Sequence, residues 1–423
     1  MRILNKNFNS KKKVTVIGGG IIGLATACRL AQDSFDVTLI DANKSKNRAS
    51  IATAGIIGGS SVIPWANDHL WKKIPSMVLS KEGPLKVKLP LPKDFMSFIF
   101  KSHKAGSNFE ISKSSKGLAE LGLKGWAEWQ SLLKPHRKLR RFFTQNGCLL
   151  YYSDSEEYLD EIKNNQLRRK RGMKIKDLKT NELFLKIPQT CDEKPMATLI
   201  LKAGHLSDPL KFQDNLIKEL KKKGVKRIIA KANSFEVKKN KIYKVITNKG
   251  KINCDHVIIC SGTGGKDLVK ELGSKISMIP AWGTSIVLKK PDIKIKLPIL
   301  IEKKGFAIVP NSNELRVAGL VQVGGKLNNR NMKFEKILLN QVKKFFGRFK
   351  FKGIKSATGA RPLTSDSLPV VGRSPNFKNA FFNFGHGHWG MTHAPVCANI
   401  ISNLIGKRKN NINIKPYDIS RFN

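Results

Sequence analysis

The sequence predicts an α/β fold: a Rossmann-like dinucleotide-binding domain whose chain is interrupted by an α+β substrate domain with a largely antiparallel sheet. Three observations predict it. A glycine turn joins an apolar strand to a helical pattern near the start, a second such unit lies near the end, and short alternating strands separated by turn signals lie between them.

The first unit is "KKKVTVIGGGIIGLATACRL". Val14, Val16 and Ile17 form a run of β-formers that Gly18, Gly19 and Gly20 break. Ile21, Ile22 and Gly23 then open a helical pattern through Leu24, Ala27, Cys28 and Leu30. In such a unit Gly18 permits the tight turn, Gly20 lets backbone approach a pyrophosphate, and Gly23 allows helix to pack on strand. The pyrophosphate then sits on the helix N-terminus. A second strand, "FDVTLID", ends at Asp41, at the offset where an acid holds an unphosphorylated ribose. These residues leave FAD and NAD open.

After Asp41 comes "ASIATAGIIGGSSVIPWA", whose small residues let the chain run beside a bulky ligand. Helical segments bearing tryptophan, a strand "GCLLYYSDS" and a charged stretch follow, and residues 67–199 read as a separate cap. "SDPLKFQDNLIKELKKKGV" gives an amphipathic helix capped by Ser207 or Asp208, with Pro209 in its first turn and Gly224 at its end. "VIICSGTGG" is a buried-looking strand that runs into another glycine turn at Gly262. Residues 281–349 return to the cap. The expected partition is 1–66, 200–280 and 350–423 for the nucleotide-binding domain and the remainder for the substrate domain.

Bulk properties bound the partners. The chain of 423 residues has 78 Lys and Arg against 31 acids, a formal net charge of +47. That sign attracts anionic surfaces, and an anionic membrane surface is the partner it suggests. No nucleic-acid module accompanies the charge, so no nucleic-acid partner is expected. The lysines are spread along the whole chain, as a coding bias would also produce. No secretory h-region and no membrane-spanning stretch is visible, which gives a cytoplasmic expectation, peripheral on the inner leaflet if the charge is used. The six cysteines form no CxxC pair, so neither a disulfide nor a metal site is expected.

Taken in order, the N-terminal turn with Asp41, "ASIATAGIIGGSSVIPWA", "VIICSGTGG", "GARPLTSDSLPVVG" and "NFGHGHWGMTHAP" resemble the FAD-dependent D-amino acid oxidase and glycine oxidase superfamily over the whole chain. Within it the chain is most similar to D-amino acid dehydrogenases of the small-subunit type. The resemblance implies a glutathione-reductase-like FAD-binding domain and decides the cofactor for FAD. It implies that Val16 to Gly23 and Asp41 hold the ADP half, that Ser50, Ala54 and Gly55 lie on the flavin side, and that Gly262 lies on the adenine-side turn. Gly385, His386, Gly387, Trp389 and Gly390 would wrap the flavin ring, their backbone donors stabilising charge near N1.

Arg361, in "GARP", matches the superfamily's carboxylate-binding arginine, a guanidinium fork suited to an α-amino acid. Where glycine oxidases have a second arginine this chain has His388, which either binds substrate or lines the pocket. Thr53 stands where close dehydrogenase relatives have Asn.

The implied reaction is oxidative deamination of a D-amino acid to a 2-oxo acid and ammonia, with a quinone or another respiratory carrier as electron acceptor. The alternatives are oxidation of glycine, sarcosine, D-hydroxyproline or opine-type substrates on the same scaffold, and a basic anionic-surface-binding protein on a flavoprotein fold.

Overall fold

A six-stranded sheet organises the nucleotide-binding layer, in the order Lys226–Ile229, Asp36–Asp41, Lys13–Ile17, His256–Ile259, Ala380–Phe384, Val370–Arg373. The first five strands are parallel and the last is antiparallel. The computed structural model describes residues 11–42, 48–59, 61–187, 190–325 and 331–423. Side chains alternate across the central strands, as the period of two requires. Val14, Val16, Val37, Leu39 and Ile258 face the helices Ile21–Gln32 and Gly390–Ile405. Ile17, Ile40, Val257 and Ile259 face a three-stranded meander, Ala232–Lys238, Lys241–Thr247 and Gly250–Asn253. Both faces are therefore buried, which suits a parallel sheet.

The second layer is a large, mostly antiparallel sheet running from Gly353–Thr364 through Met278–Lys289, Glu314–Gly324 and Phe306–Asn311 to Cys148–Tyr152 and Met196–Ile200. The helix Met332–Phe346 lays Phe334, Leu338, Val342 and Phe345 on it. A short strand, Leu85–Lys88, adds beside Glu314–Gly324.

Two features differ from the expected partition. The strand Gly353–Thr364 pairs with Met278–Lys289 along its whole length, so it belongs to the second sheet. Its glycines, proline and basic residues mask its strand pattern in the sequence. The helices Asn108–Gly122 and Gly125–Leu132 put Leu118, Leu121, Trp129 and Leu132 into the nucleotide-layer core, and Trp129 Nε1 donates to the Met391 carbonyl at 2.7 Å. An amphipathic pattern shows that a helix has a buried face, not which layer it meets.

The helix expected over the Pro209 region runs Pro209–Lys222, and Asp208 is its cap, accepting from Lys211 N at 3.0 Å. All six cysteines are free, and only Cys191 is exposed.

Candidate active site

The first strand leads straight into an anion cradle. Gly18 N donates to the Ile40 carbonyl at 2.8 Å, with φ at +118°, a conformation that favours glycine. A Cβ there would lie 2.7 Å from the Cys260 carbonyl. A Cβ on Gly23 would lie 1.8 Å from the Gly18 carbonyl oxygen, so only glycine lets the helix sit this close to the turn. Gly20 differs. It caps the helix Ile21–Gln32 without a side-chain acceptor, no acid stands in the first turn, and a Cβ would meet only Ser50 Oγ at 3.8 Å. The free amides at the helix start and the open space over Gly20 fit a pyrophosphate.

Asp41 is buried against this turn. Its carboxylate accepts from Arg48 Nη2 at 2.7 Å and from Arg227 Nη2 at 2.6 Å, and Arg48 Nη1 also donates to the Gly19 carbonyl at 2.9 Å. The two arginines fix the acid's position, and sequence reading missed both, since lysine and arginine are everywhere in this chain. Ser50 is held likewise: its Oγ donates to Gln213 Oε1 and its carbonyl accepts from Gln213 Nε2, both at 2.9 Å.

One cavity of about 1190 Å³ joins this cradle to the second sheet. Its wall includes Ile17 to Ile22, Asp41, Ser50, Thr53, Ala54 and Gly262, together with Arg361 and Gly385 to Gly390. Val16, Gly23 and Gly55 lie behind the wall. Gly55, with φ +85°, makes a backbone turn against Leu206, whose N donates to the Gly55 carbonyl at 2.8 Å. Tyr151 and Tyr152 reach the cavity, but their hydroxyls are engaged, Tyr151 with Thr190 and Asp192 and Tyr152 with Thr198. The volume exceeds the roughly 300–1,000 Å³ of a single drug-sized site. It has room for a dinucleotide and a small substrate together.

Arg361 stands in the same wall. Its guanidinium lies where a Cβ on Gly283 would be, 2.2 Å from Cζ, so Gly283 makes the space. Nη1 donates to the Leu320 carbonyl at 2.9 Å. Leu320 adopts φ +57°, unusual for leucine, and the turned backbone aims that carbonyl at the arginine. No carboxylate among the described residues pairs with Arg361. Burial alone pushes its pKa down to about 10, which leaves it cationic at neutral pH. A lone cation in a low-dielectric wall calls for an anionic ligand.

The C-terminal turn closes the site. Gly385 and Gly387 have φ of +79° and +51°, and Gly387 N donates to the Pro362 carbonyl at 3.0 Å, tying the turn to the arginine strand. His388 is exposed to the cavity although it lies deep within the protein. Burial, then the Arg361 charge, push its pKa down to about 3, so it is a neutral neighbour of the guanidinium.

These features match a known family. The model described as "FAD dependent oxidoreductase", DAO, covers residues 13–404. The chain belongs to the DAO family of FAD-dependent oxidoreductases. Among its relatives this DAO-family chain is 24% identical to the D-amino-acid oxidase of Bradyrhizobium diazoefficiens, over 97% of this chain and 99% of that one. It is 27% identical to the D-amino acid dehydrogenase of Helicobacter pylori, over 97% and 98%. Its fold superposes on glycine oxidase from Geobacillus kaustophilus with a TM-score of 0.74, at 19% identity over 97% of this chain and 99% of that one.

The DAO-family site also stores a pH-dependent weakness. His386 and His393 are buried, their rings 6.1 Å apart, and none of their ring nitrogens has a hydrogen-bond partner among the described residues. Burial holds both well below the ordinary 6.5, His393 at about 3. Above about pH 6.5 both states are neutral; below it the unfolded chain takes up protons that the folded chain refuses, so stability falls as pH drops. The melting temperature should decline from pH 6.5 towards pH 4, and His393→Leu should flatten that decline. An identical slope in the variant would remove His393 from the account.

Proposed function

We propose that this enzyme oxidatively deaminates D-amino acids and passes the electrons to a quinone-type carrier. The observation that carries the substrate class is Arg361, a cation without a carboxylate partner on the wall of a cavity that also holds the pyrophosphate cradle. The names of the full-length relatives support the D configuration.

Gly18 to Gly20 and the helix start at Ile21 would hold the FAD pyrophosphate, Asp41 the ribose, and the backbone of Gly385 to Gly390 the ring. Bound FAD supplies the two-electron acceptor for the hydride on the substrate Cα. Arg361 binds the substrate carboxylate, and with one N–H held by Leu320 the rest of the fork faces the cavity. Neutral His388 beside it offers a hydrogen bond without a second positive charge, so the α-amine can lose its proton to solvent and present a free electron pair. The apolar wall of Trp65, Phe98 and Ile99 limits water around the reacting carbon. Water then hydrolyses the released imino acid to the 2-oxo acid and ammonia.

The acceptor reading rests on the basic surface, which suits an anionic membrane. No helix among the described residues is long and apolar enough to cross one.

Turnover under nitrogen with an artificial dye should yield one 2-oxo acid and one ammonia per two electrons from D-alanine or a larger D-amino acid, and almost nothing from the L enantiomers. Preferential turnover of glycine, sarcosine or a cyclic secondary amino acid would replace this substrate class with the alternative one.

A further inference from the structure

We infer that residues 77–109 form a docking face for an anionic lipid bilayer, placed at the mouth of the active-site cavity. The inference rests on the reading that the electron acceptor is carried in a membrane, and it identifies the surface that would meet it.

Leu79, Leu89, Met96, Phe100 and Phe109 are 74–83% exposed. Among the described residues only one other large apolar side chain, Leu185, is exposed to that degree. Water-facing apolar side chains gathered in one stretch mark an interaction surface. The helix Phe95–Ala105 shows how it is built. Phe98 and Ser102 point inward one turn apart, while Met96 and Phe100, also one turn apart, point outward. Met77, Leu85, Val87, Phe95, Met96 and Ile99 of the same segment line the cavity, so the exposed face and the cavity mouth share a rim.

The charge pattern selects the partner. The segment carries Lys81, Lys86, Lys88, Lys93, Lys101 and Lys104 and only two acids, Glu82 and Asp94. Both acids are taken by lysines from elsewhere: Lys344 reaches Glu82 at 2.6 Å and Lys266 pairs with Asp94. The six lysines have no ion pair among the described residues. Apolar side chains amid uncompensated lysines are what an interfacial element needs to enter the headgroup layer of an anionic leaflet. A second copy of this face would bring like charges together, which disfavours pairing between copies. Each lysine near such a surface strengthens binding by about fivefold. Docked this way, the cavity opens towards the apolar phase in which a lipid-soluble acceptor dissolves.

The test is co-sedimentation of the holoenzyme with phosphatidylcholine vesicles, with and without phosphatidylglycerol. Wild type should bind only the anionic vesicles, and less as salt rises. Leu89→Asp/Phe100→Asp should lower the partition coefficient at least about tenfold, with unchanged flavin content and dye-coupled activity. Leu185→Asp should bind like wild type. Wild-type binding by the double variant, or no binding of wild type to anionic vesicles, would overturn the docking face. So would an oligomer in solution that the double variant splits without any change in vesicle binding. Vesicle binding intact but no reduction of a quinone analogue would instead fault the acceptor reading and leave the face standing.

Discussion

Replacing Arg361 with methionine will leave the flavin bound and remove turnover. The guanidinium is a buried cation of the cavity wall with no carboxylate partner among the described residues, and so is the group that meets a substrate carboxylate in this account. Taking away one partner of a buried charge pair costs about 3–5 kcal/mol, so kcat/KM should fall by roughly 10²- to 10⁴-fold. Arg361→Lys should recover part of the loss, because a point charge remains but the fork does not. Stability separates this from misfolding. The downward displacement of the arginine pKa to about 10 reflects roughly 3 kcal/mol against the charged form in the free enzyme. Deleting that cation offsets the lost bond to the Leu320 carbonyl, and the melting temperature of the ligand-free variant should not fall. A variant that binds substrate normally, or that unfolds, would remove Arg361 from this role.

The glycine turn makes a second large prediction, because its glycines do different things. Gly20 has ordinary backbone angles and open space beside it, so Gly20→Asp should fold. Its carboxylate would stand where the pyrophosphate belongs, and flavin affinity should drop by about 100-fold or more, since a like charge replaces a helix-dipole attraction. Gly23→Ala should do the reverse. A methyl 1.8 Å from the Gly18 carbonyl oxygen cannot be housed without parting helix from strand, a cost of about 3 kcal/mol or more. Urea unfolding and the ratio of visible to ultraviolet absorbance distinguish the two. Loss of flavin with full stability in Gly23→Ala would mean that the packing argument is wrong.

Particular residues explain what the sequence made legible. The parallel layer was readable because Val14, Val16 and Ile17 are β-formers that stop at three glycines, and the whole signal lies within one window. Arg361 was readable only through resemblance to a motif. The expected partition gives residues 350–423 to the nucleotide-binding domain, whereas the strand that carries it finds its partners at Met278–Lys289, far back in the chain. Gly283 and Leu320 left no local signal at all. A glycine that vacates space for an arginine, and a leucine in a left-handed conformation, acquire their meaning only when three strands lie side by side. Arg48, Arg227 and Gln213 were hidden for the same reason, because each acts on a residue brought near by the fold. The two buried histidines stood in plain view in "GHGHWGMTH", but their burial was not.

The central claim is that the cavity holds FAD and that Arg361 presents an amino acid to it. The most direct measurement is the visible spectrum of the purified protein under nitrogen, before and after D-amino acids are added, for wild type and Arg361→Met side by side. The account predicts a flavin band in both proteins, bleached by substrate in wild type alone. A flavin band that no amino acid bleaches, or one that bleaches equally in both proteins, would contradict it.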